Sequence, residues 1–156
     1  MYSRTALLVV PAAGGQHFGF ILNRATEVKL ATLFPEHAPS SKVADPVYFG
    51  GPEMISSIFA VVRRDPGAAL HLFGELFVTA NSAAVDGIIE STPNDARYFV
   101  GFVGWGHGEL AKELADGFWY VEEPDAKLLF SQDTGQMWEG LLKRAGKSVP
   151  ARAGSI

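Results

Sequence analysis

Short apolar runs separated by turn-forming residues dominate the pattern of this chain. Seven runs rich in β-branched and aromatic residues, each bounded by Gly, Pro, Asn or Asp, predict strands over 5–10, 17–23, 46–49, 58–64, 75–80, 97–104 and 118–122. A glycine-containing loop over 12–16 favours an antiparallel hairpin between the first two runs. A second turn is predicted at Asp65-Pro66-Gly67. The apolar runs therefore predict a sheet of six or seven strands.

Helical spacing of apolar residues is weaker and is confined to short segments. Four helices are predicted: one over 30–34 stopped by Pro35, one capped by Asn81 or Ser82, one over 109–116 ended by Gly117, and one from Asp133 or Thr134 to Gly146. The spacing of Asp133 and Gln136 is that of a capping box. Because strands mostly adjoin strands, the pattern indicates a mixed, mostly antiparallel α+β domain with three or four flanking helices. This single domain is predicted over 1–146, with a frayed tail over 147–156.

Composition narrows the class of protein. A chain of 156 residues with 47% hydrophobic residues is the size of one globular domain with its own core. Its formal net charge of −4 disfavours direct binding to nucleic acid or anionic lipid. The absence of cysteine excludes disulfides and thiol catalysis. No run approaches the roughly 20 apolar residues of a membrane span, so a soluble, cytoplasmic protein is expected.

The common catalytic and cofactor motifs are not found in the sequence. The four histidines, His17, His37, His71 and His107, do not have the short spacings that group metal ligands on one element. The glycines at 104, 106 and 108 do not complete a dinucleotide fingerprint, because Glu109 stands where the third glycine is required. No cofactor or metal is therefore expected.

The segment Gly104-Trp105-Gly106-His107-Gly108-Glu109 carries the strongest local signal. It predicts a strand end, a glycine-rich turn and a helix start, where backbone N–H groups favour an anion. The structural alternative is that Glu109 simply stabilises the helix dipole, by about 0.3–1 kcal/mol. A catalytic alternative assigns His107 and Glu109 as acid and base.

Two further clusters end predicted strands. In Asn23-Arg24, an arginine held by its neighbour suits a carboxylate or phosphate, but an asparagine satisfying its own loop, with Arg24 solvated, is the favoured interpretation. The cluster Phe49-Gly50-Gly51-Pro52 suits a turn or a close backbone approach. The predicted ligand-binding residues are Asn23, Arg24, Gly50, Gly51, Pro52, Gly104, Trp105, Gly106, His107, Gly108 and Glu109.

These clusters together resemble the AlgH/YqgE family of bacterial proteins. The matching pieces are Phe18-Gly19-Phe20-Ile21-Leu22-Asn23-Arg24, Val47-Tyr48-Phe49-Gly50-Gly51-Pro52, Gly104 to Leu110 with Glu113, and then Trp119, Leu129-Phe130 and Trp138. They occur in the family's order over roughly 5–146. The resemblance implies a compact α+β fold with a mixed, partly barrel-like sheet. It implies no defined reaction, because the family carries only the label of transcriptional regulators.

The leading functional hypothesis is a non-enzymatic regulatory or interaction protein. It would act on transcription through a protein partner or a small anionic ligand, rather than by direct contact with nucleic acid or membrane. The alternative is an enzyme of unknown reaction that uses His107 and Glu109. Family members usually carry an additional N-terminal segment, so an open sheet edge and a homodimer formed through it are also expected.

Overall fold

The computed structural model describes residues 4–144 of the chain. Over these residues the sheet contains eight strands: β1 (Leu7–Pro11), β2 (His17–Ile21), β3 (Ala25–Lys29), β4 (Pro46–Phe49), β5 (Glu53–Val62), β6 (Leu70–Phe73), β7 (Leu76–Thr79) and β8 (Ala96–Trp105). The same residues form five helices: α1 (Leu30–Leu33), α2 (Ser82–Ser91), α3 (Glu109–Ala115), α4 (Ala126–Leu129) and α5 (Met137–Arg144). The predicted α+β class is confirmed.

Strand β8 lies at the centre of the sheet. The main strand order is β1-β2-β8-β5-β7-β6, with antiparallel pairing between neighbours. The edge of β8 away from β5 has two successive partners: β4 pairs with it in parallel at Phe99, and β2 pairs with it antiparallel at Val103. Strand β3 extends the sheet from β4. This branching curves the sheet into the mixed, barrel-like form that the resemblance implies.

A glycine junction allows β8 to change partners. Gly101 has φ +72°, and a Cβ atom there would overlap the carbonyl group of Gly51. A Cβ atom on Gly50 would in turn overlap the carbonyl oxygen of Gly101. Because only glycine tolerates this backbone approach, Gly50, Gly51 and Gly101 are required where the strands cross.

Side chains of β8 reach three packed clusters, the third of which contains Val103 and Trp105. Phe99 packs in the first cluster, with Phe20 and Val61, whereas Tyr98 faces the second, beneath α2. Strict alternation would place residue 102 on the face opposite to Phe99. Phe102 instead packs against the same cluster as Phe99, and the β5–β8 register shifts over this segment. The irregular backbone at Gly101 thus returns Phe102 to the face of Phe99.

Several local predictions are confirmed. The loop over 12–16 closes the β1–β2 hairpin, with Ala12 N donating to the Gln16 carbonyl oxygen at 2.8 Å. Asn81 caps α2, its Oδ1 accepting from Ala84 N at 3.0 Å. At the predicted second turn, Gly67 N donates to Asp65 Oδ1 at 2.9 Å.

Other local predictions are wrong or incomplete. The sequence predicted a strand over 118–122, but the segment forms only an isolated bridge at Tyr120, because Trp119 packs in the cluster with Trp105 and Leu110 instead. Strands β3 and β6 were not predicted. Asp133 makes no capping hydrogen bond and precedes a short 3₁₀ turn, so the predicted capping box is wrong. The predicted helix end at Gly146 and the predicted tail over 147–156 lie outside the described residues.

Candidate functional site

The glycine turn before α3 is closed by its own carboxylate. Gly106 N donates to Glu109 Oε1 at 2.9 Å, and Glu109 N donates to the Gly106 carbonyl oxygen at 3.1 Å. Gly108 has the left-handed φ of +76° that the turn needs. The Glu109 carboxylate therefore accepts the hydrogen bond from a backbone N–H group that was predicted to bind an anion. It also places negative charge at the start of α3.

His107 connects this turn to the β1–β2 hairpin. Its Nδ1 donates to the carbonyl oxygen of Gly14 at 2.8 Å, and its ring lies where a side chain on Gly15 would be. His107 and Glu109 thus bind different backbone groups.

A carboxylate between two tryptophans fastens α3 to the sheet. Glu113 Oε1 accepts from Trp105 Nε1 at 3.2 Å and from Trp119 Nε1 at 2.8 Å. The two rings are buried and meet edge to face, with centroids 6.4 Å apart. Since a buried indole N–H needs an acceptor, Glu113 lets both tryptophans pack in the interior. In the sequence, Glu113 was identified only as part of the family resemblance. It follows Trp105 by eight residues, and no periodic pattern connects the two.

Asn23 and Arg24 lie past the opposite end of β2 from the glycine turn. Asn23 Oδ1 accepts from Ala6 N at 3.0 Å, and its Nδ2 donates to the Arg4 carbonyl oxygen at 2.9 Å. The guanidinium Nη2 of Arg24 donates to Thr5 Oγ1 at 3.2 Å. Asn23 thereby holds two chain segments together.

The structure places the predicted site residues in three separate locations. Asn23 and Arg24 form the first, Gly50, Gly51 and Pro52 belong to the strand crossing, and residues 104–109 form the turn before α3. Gly104, Trp105, Gly106 and Glu109 additionally line a cavity.

This cavity has a volume of about 760 Å³ and lies between β2, β5, β8 and the β6–β7 hairpin. Four phenylalanines form much of its wall: Phe18, Phe20, Phe59 and Phe102. We refer to this cavity as the aromatic cleft. Its volume falls within the range of about 300–1,000 Å³ that is typical of small-molecule sites.

The four phenylalanines contact one another in a closed ring. The centroid distances are 6.1 Å for Phe18–Phe20, 5.5 Å for Phe20–Phe59, 5.7 Å for Phe59–Phe102 and 6.5 Å for Phe102–Phe18. Three of these pairs are edge to face. Phe20 is buried, whereas the other three are half-buried and leave apolar surface facing the cavity. Because aromatic rings favour edge-to-face geometry, these contacts stabilise the arrangement of the wall.

Polar side chains in the aromatic cleft are few, and the carboxylates among them carry negative charge. Two carboxylates line it, from Glu53 on β5 and Glu109 at the start of α3. His17 also lines it, and its buried Nδ1 has no hydrogen-bond partner among the described residues. None of the described lining residues is a lysine or an arginine. Glu53 and His17 were not predicted as site residues from the sequence. The available signal was the two-residue spacing of Phe18 and Phe20, which places both side chains on one face of the strand that begins at His17.

A second groove, of about 790 Å³, follows α2 and the turn after β5. Arg63, Arg64 and Asp65 give it charges of both signs. Arg63 already stacks on Phe130, 4.5 Å from the ring centroid, and pairs with Glu75 at 3.4 Å. The aromatic cleft has the larger apolar wall and is the stronger candidate for a ligand site.

Within residues 4–144, no helix combines the length and apolar character needed to cross a bilayer. The His, Asp and Glu side chains of the same residues do not gather in a group of three or more suited to holding a metal ion.

The fold and the cleft define a single-domain α+β protein whose barrel-like sheet borders an apolar cavity. Residues 1–150 match the AlgH-like family model, and the chain belongs to this family, as the motifs indicated. The UPF0301 protein of Chlorobium limicola is 27% identical over 150 residues, which are 93% of this chain and 79% of that protein.

Two solved structures share the fold. The solution structure of the AlgH protein from Pseudomonas aeruginosa superposes with a TM-score of 0.75 at 22% identity, covering 95% of this chain and 84% of that one. The crystal structure of protein DIP2367 from Corynebacterium diphtheriae gives a TM-score of 0.71 at 22% identity, covering 88% and 75%. At this identity the likeness extends to the fold alone.

Proposed function

We propose that this chain is a non-enzymatic regulatory protein that binds a small, largely apolar molecule in the aromatic cleft and acts on transcription through a protein partner. The observation that carries the proposal is the cleft itself, a cavity of about 760 Å³ with an aromatic wall and few polar groups. An apolar wall with few polar groups is the usual form of a small-molecule site.

A non-enzymatic role is supported by the hydrogen bonds of the two residues considered for acid–base chemistry. His107 donates to the hairpin carbonyl of Gly14, and Glu109 accepts from Gly106 N. A general acid and base need to reach a common substrate position. Both side chains instead hold the turn together, so no reaction is assigned to them.

The chemistry of the cleft favours a neutral or cationic ligand over the anionic ligand that the sequence suggested. Glu109 takes the turn N–H that would have met an anion, and Glu53 adds a second carboxylate. The net charge of −4 likewise favours a protein partner over nucleic acid. This role implies a cytoplasmic location, where a partner in transcription is accessible.

A fragment titration with a blocking variant tests the proposal. Neutral, anionic and cationic fragments are added to the labelled protein while its amide NMR shifts are recorded. We expect binders to shift residues of the aromatic cleft. Ala80→Trp, at an exposed alanine lining the cleft, should weaken binding at least about tenfold by filling space.

Ala83→Trp is the matched control, because Ala83 is also exposed but lines the second groove. It should leave fragment affinity unchanged. Shifts that cluster away from the cleft, or binding that survives Ala80→Trp, would contradict the proposed site.

A further inference from the structure

We propose that the ligand of the aromatic cleft is a small organic cation of the substituted ammonium class. This inference rests on the proposed function, because it names the ligand chemistry of the same cleft. It is carried by the closed ring of phenylalanines together with the charges of the groups that line the cavity.

The four phenylalanines of the cleft supply the surface that would attract a cation. An aromatic face carries the negative part of the ring quadrupole and attracts a cation within about 6 Å of its centroid. Phe18–Phe20 and Phe18–Phe102 meet at 87° and 89°, and Phe59–Phe102 meets at 75°. Rings at such angles do not stack into one flat wall, so they border the cavity in several orientations. A compact group bearing methyls on nitrogen suits such surroundings better than a flat ring does.

The carboxylates supply the charge. The backbone of Glu53 on β5 pairs with that of Phe102 on β8, so Glu53 lies beside one of the four phenylalanines of the cleft. Glu109 uses Oε1 for Gly106 N, and this bond leaves its second oxygen available. With Glu53 and Glu109 in the wall and no described lysine or arginine lining it, the formal charges of the described lining residues favour a cation over an anion.

Arginines of this protein cover aromatic faces elsewhere. Arg4 lies over Trp138, Arg63 over Phe130 and Arg97 over Tyr48, at 4.6, 4.5 and 4.2 Å from the ring centroids. The fold thus uses its own cations to cover aromatic faces in three places. Among the described residues, these arginines lie over none of the four phenylalanines of the aromatic cleft, so a cation there would come from outside the chain.

Two probes of the same shape test the charge directly. Choline and 3,3-dimethylbutan-1-ol differ only in the central atom, a positively charged nitrogen in one and a neutral carbon in the other. Both are titrated into the full chain under the same conditions. We expect choline to bind at least about tenfold more tightly and to shift the amides of the four phenylalanines.

A charge-neutral variant separates charge from shape. Glu53→Gln keeps the size of the side chain, and it should weaken choline several-fold while leaving the neutral alcohol unchanged. Glu27→Gln removes the same charge at an exposed position on β3, outside the cleft, and should change neither affinity. Equal loss of choline binding in both variants would show a general charge effect and would overturn the inference.

The failures of the two proposals are distinguishable. If the alcohol binds in the cleft as tightly as choline does, the cation inference is overturned and the proposed small-molecule function stands. If neither probe shifts the cleft at high millimolar concentration while other fragments do, the cation inference again fails alone. If no fragment of any charge binds there, both proposals fail.

Discussion

The two halves of β8 belong to very different surroundings. In the first half, Ala96–Val100, four of the five residues are buried between β4, β5 and α2. In the second half, Gly101–Trp105, three residues are also buried, but Phe102 is half-buried and Gly104 is exposed along the aromatic cleft. One strand therefore supplies both the core and the candidate site, and the two halves differ in their neighbours and in the irregular backbone at Gly101.

Apart from the buried Arg97 Nε, the side-chain polar groups of Arg97 and Tyr98 have partners within the fold. Arg97, which is 2% exposed, donates to the Ser131 carbonyl oxygen at 2.8 Å, lies over the ring of Tyr48 and is 3.8 Å from Asp45 Oδ2. Burial lowers the pKa of Arg97, against the opposing effects of Tyr48 and Asp45. Tyr98 donates to the Pro93 carbonyl oxygen at 3.0 Å. The contrast teaches that a buried polar group with internal partners serves the fold, whereas open aromatic surface indicates a ligand site.

Truncating one phenylalanine in each half gives the largest expected contrast. Phe99→Ala should lower the free energy of unfolding by about 3–5 kcal/mol, because Phe99 is 0% exposed and packs on Phe20 and Tyr48. Phe102→Ala should cost only about 1–2 kcal/mol, because the ring is half-buried against an open cavity. Urea unfolding of both variants measures the difference. Equal losses would show that the second half is as tightly packed as the first.

A pair of glycine substitutions tests where along β8 the tightly packed first half ends. Gly101→Ala should cost about 2–4 kcal/mol, because it combines a left-handed φ with backbone overlap at Gly51. Gly104→Ala should stay within about 0.5 kcal/mol, since its Cβ would make only ordinary contacts with Phe102 and Glu53. Thermal and urea unfolding compare the two. A stable Gly101→Ala variant would refute the close strand crossing.

The smallest expected effect is on the pH dependence of stability, through Tyr98 in the first half of β8. Burial raises the pKa of Tyr98 above the ordinary 10.0, and the Asp95 carboxylate adds to this shift. The folded protein therefore keeps the phenolic proton longer than the unfolded chain. The stability from this group is complete below about pH 10 and falls above it, by about 1.4 kcal/mol per pH unit.

Tyr98→Phe should remove this part of the alkaline slope. Tyr48, whose pKa is also raised by burial, remains in the variant and keeps its own contribution. The measurement is urea unfolding at several values of pH between about 9 and 12, with phenolate absorbance recorded in parallel. A slope equal to that of the unmodified chain would contradict the buried environment of Tyr98.

Features encoded by neighbouring residues could be predicted from the sequence. The β1–β2 hairpin and the Asn81 cap each depend on a few adjacent residues. Strand β3 was not predicted because four of its five residues are exposed, which removes the alternating pattern. The run over 118–122 has strand-forming residues, yet Trp119 packs beneath α3 instead of joining the sheet.

The candidate site was less predictable, because it is assembled from distant strands. The spacing of Phe18 and Phe20 places them on one face of β2, but their contacts with Phe59 and Phe102 depend on strand order. The position of Phe102 further depends on the irregular backbone at Gly101. The glycine turn is conspicuous in sequence, whereas its main polar groups are bonded within the turn and to the hairpin.

The irregularity at Gly101 also separates mutational effects along β8. Phe102, which follows it, is half-buried beside the cavity, whereas Phe99, which precedes it, is 0% exposed. An exchange at position 102 should therefore reshape the cavity at a lower cost to the packed interior than an exchange at position 99. One backbone kink thus places a residue that shapes the cavity three positions from a residue that supports the fold.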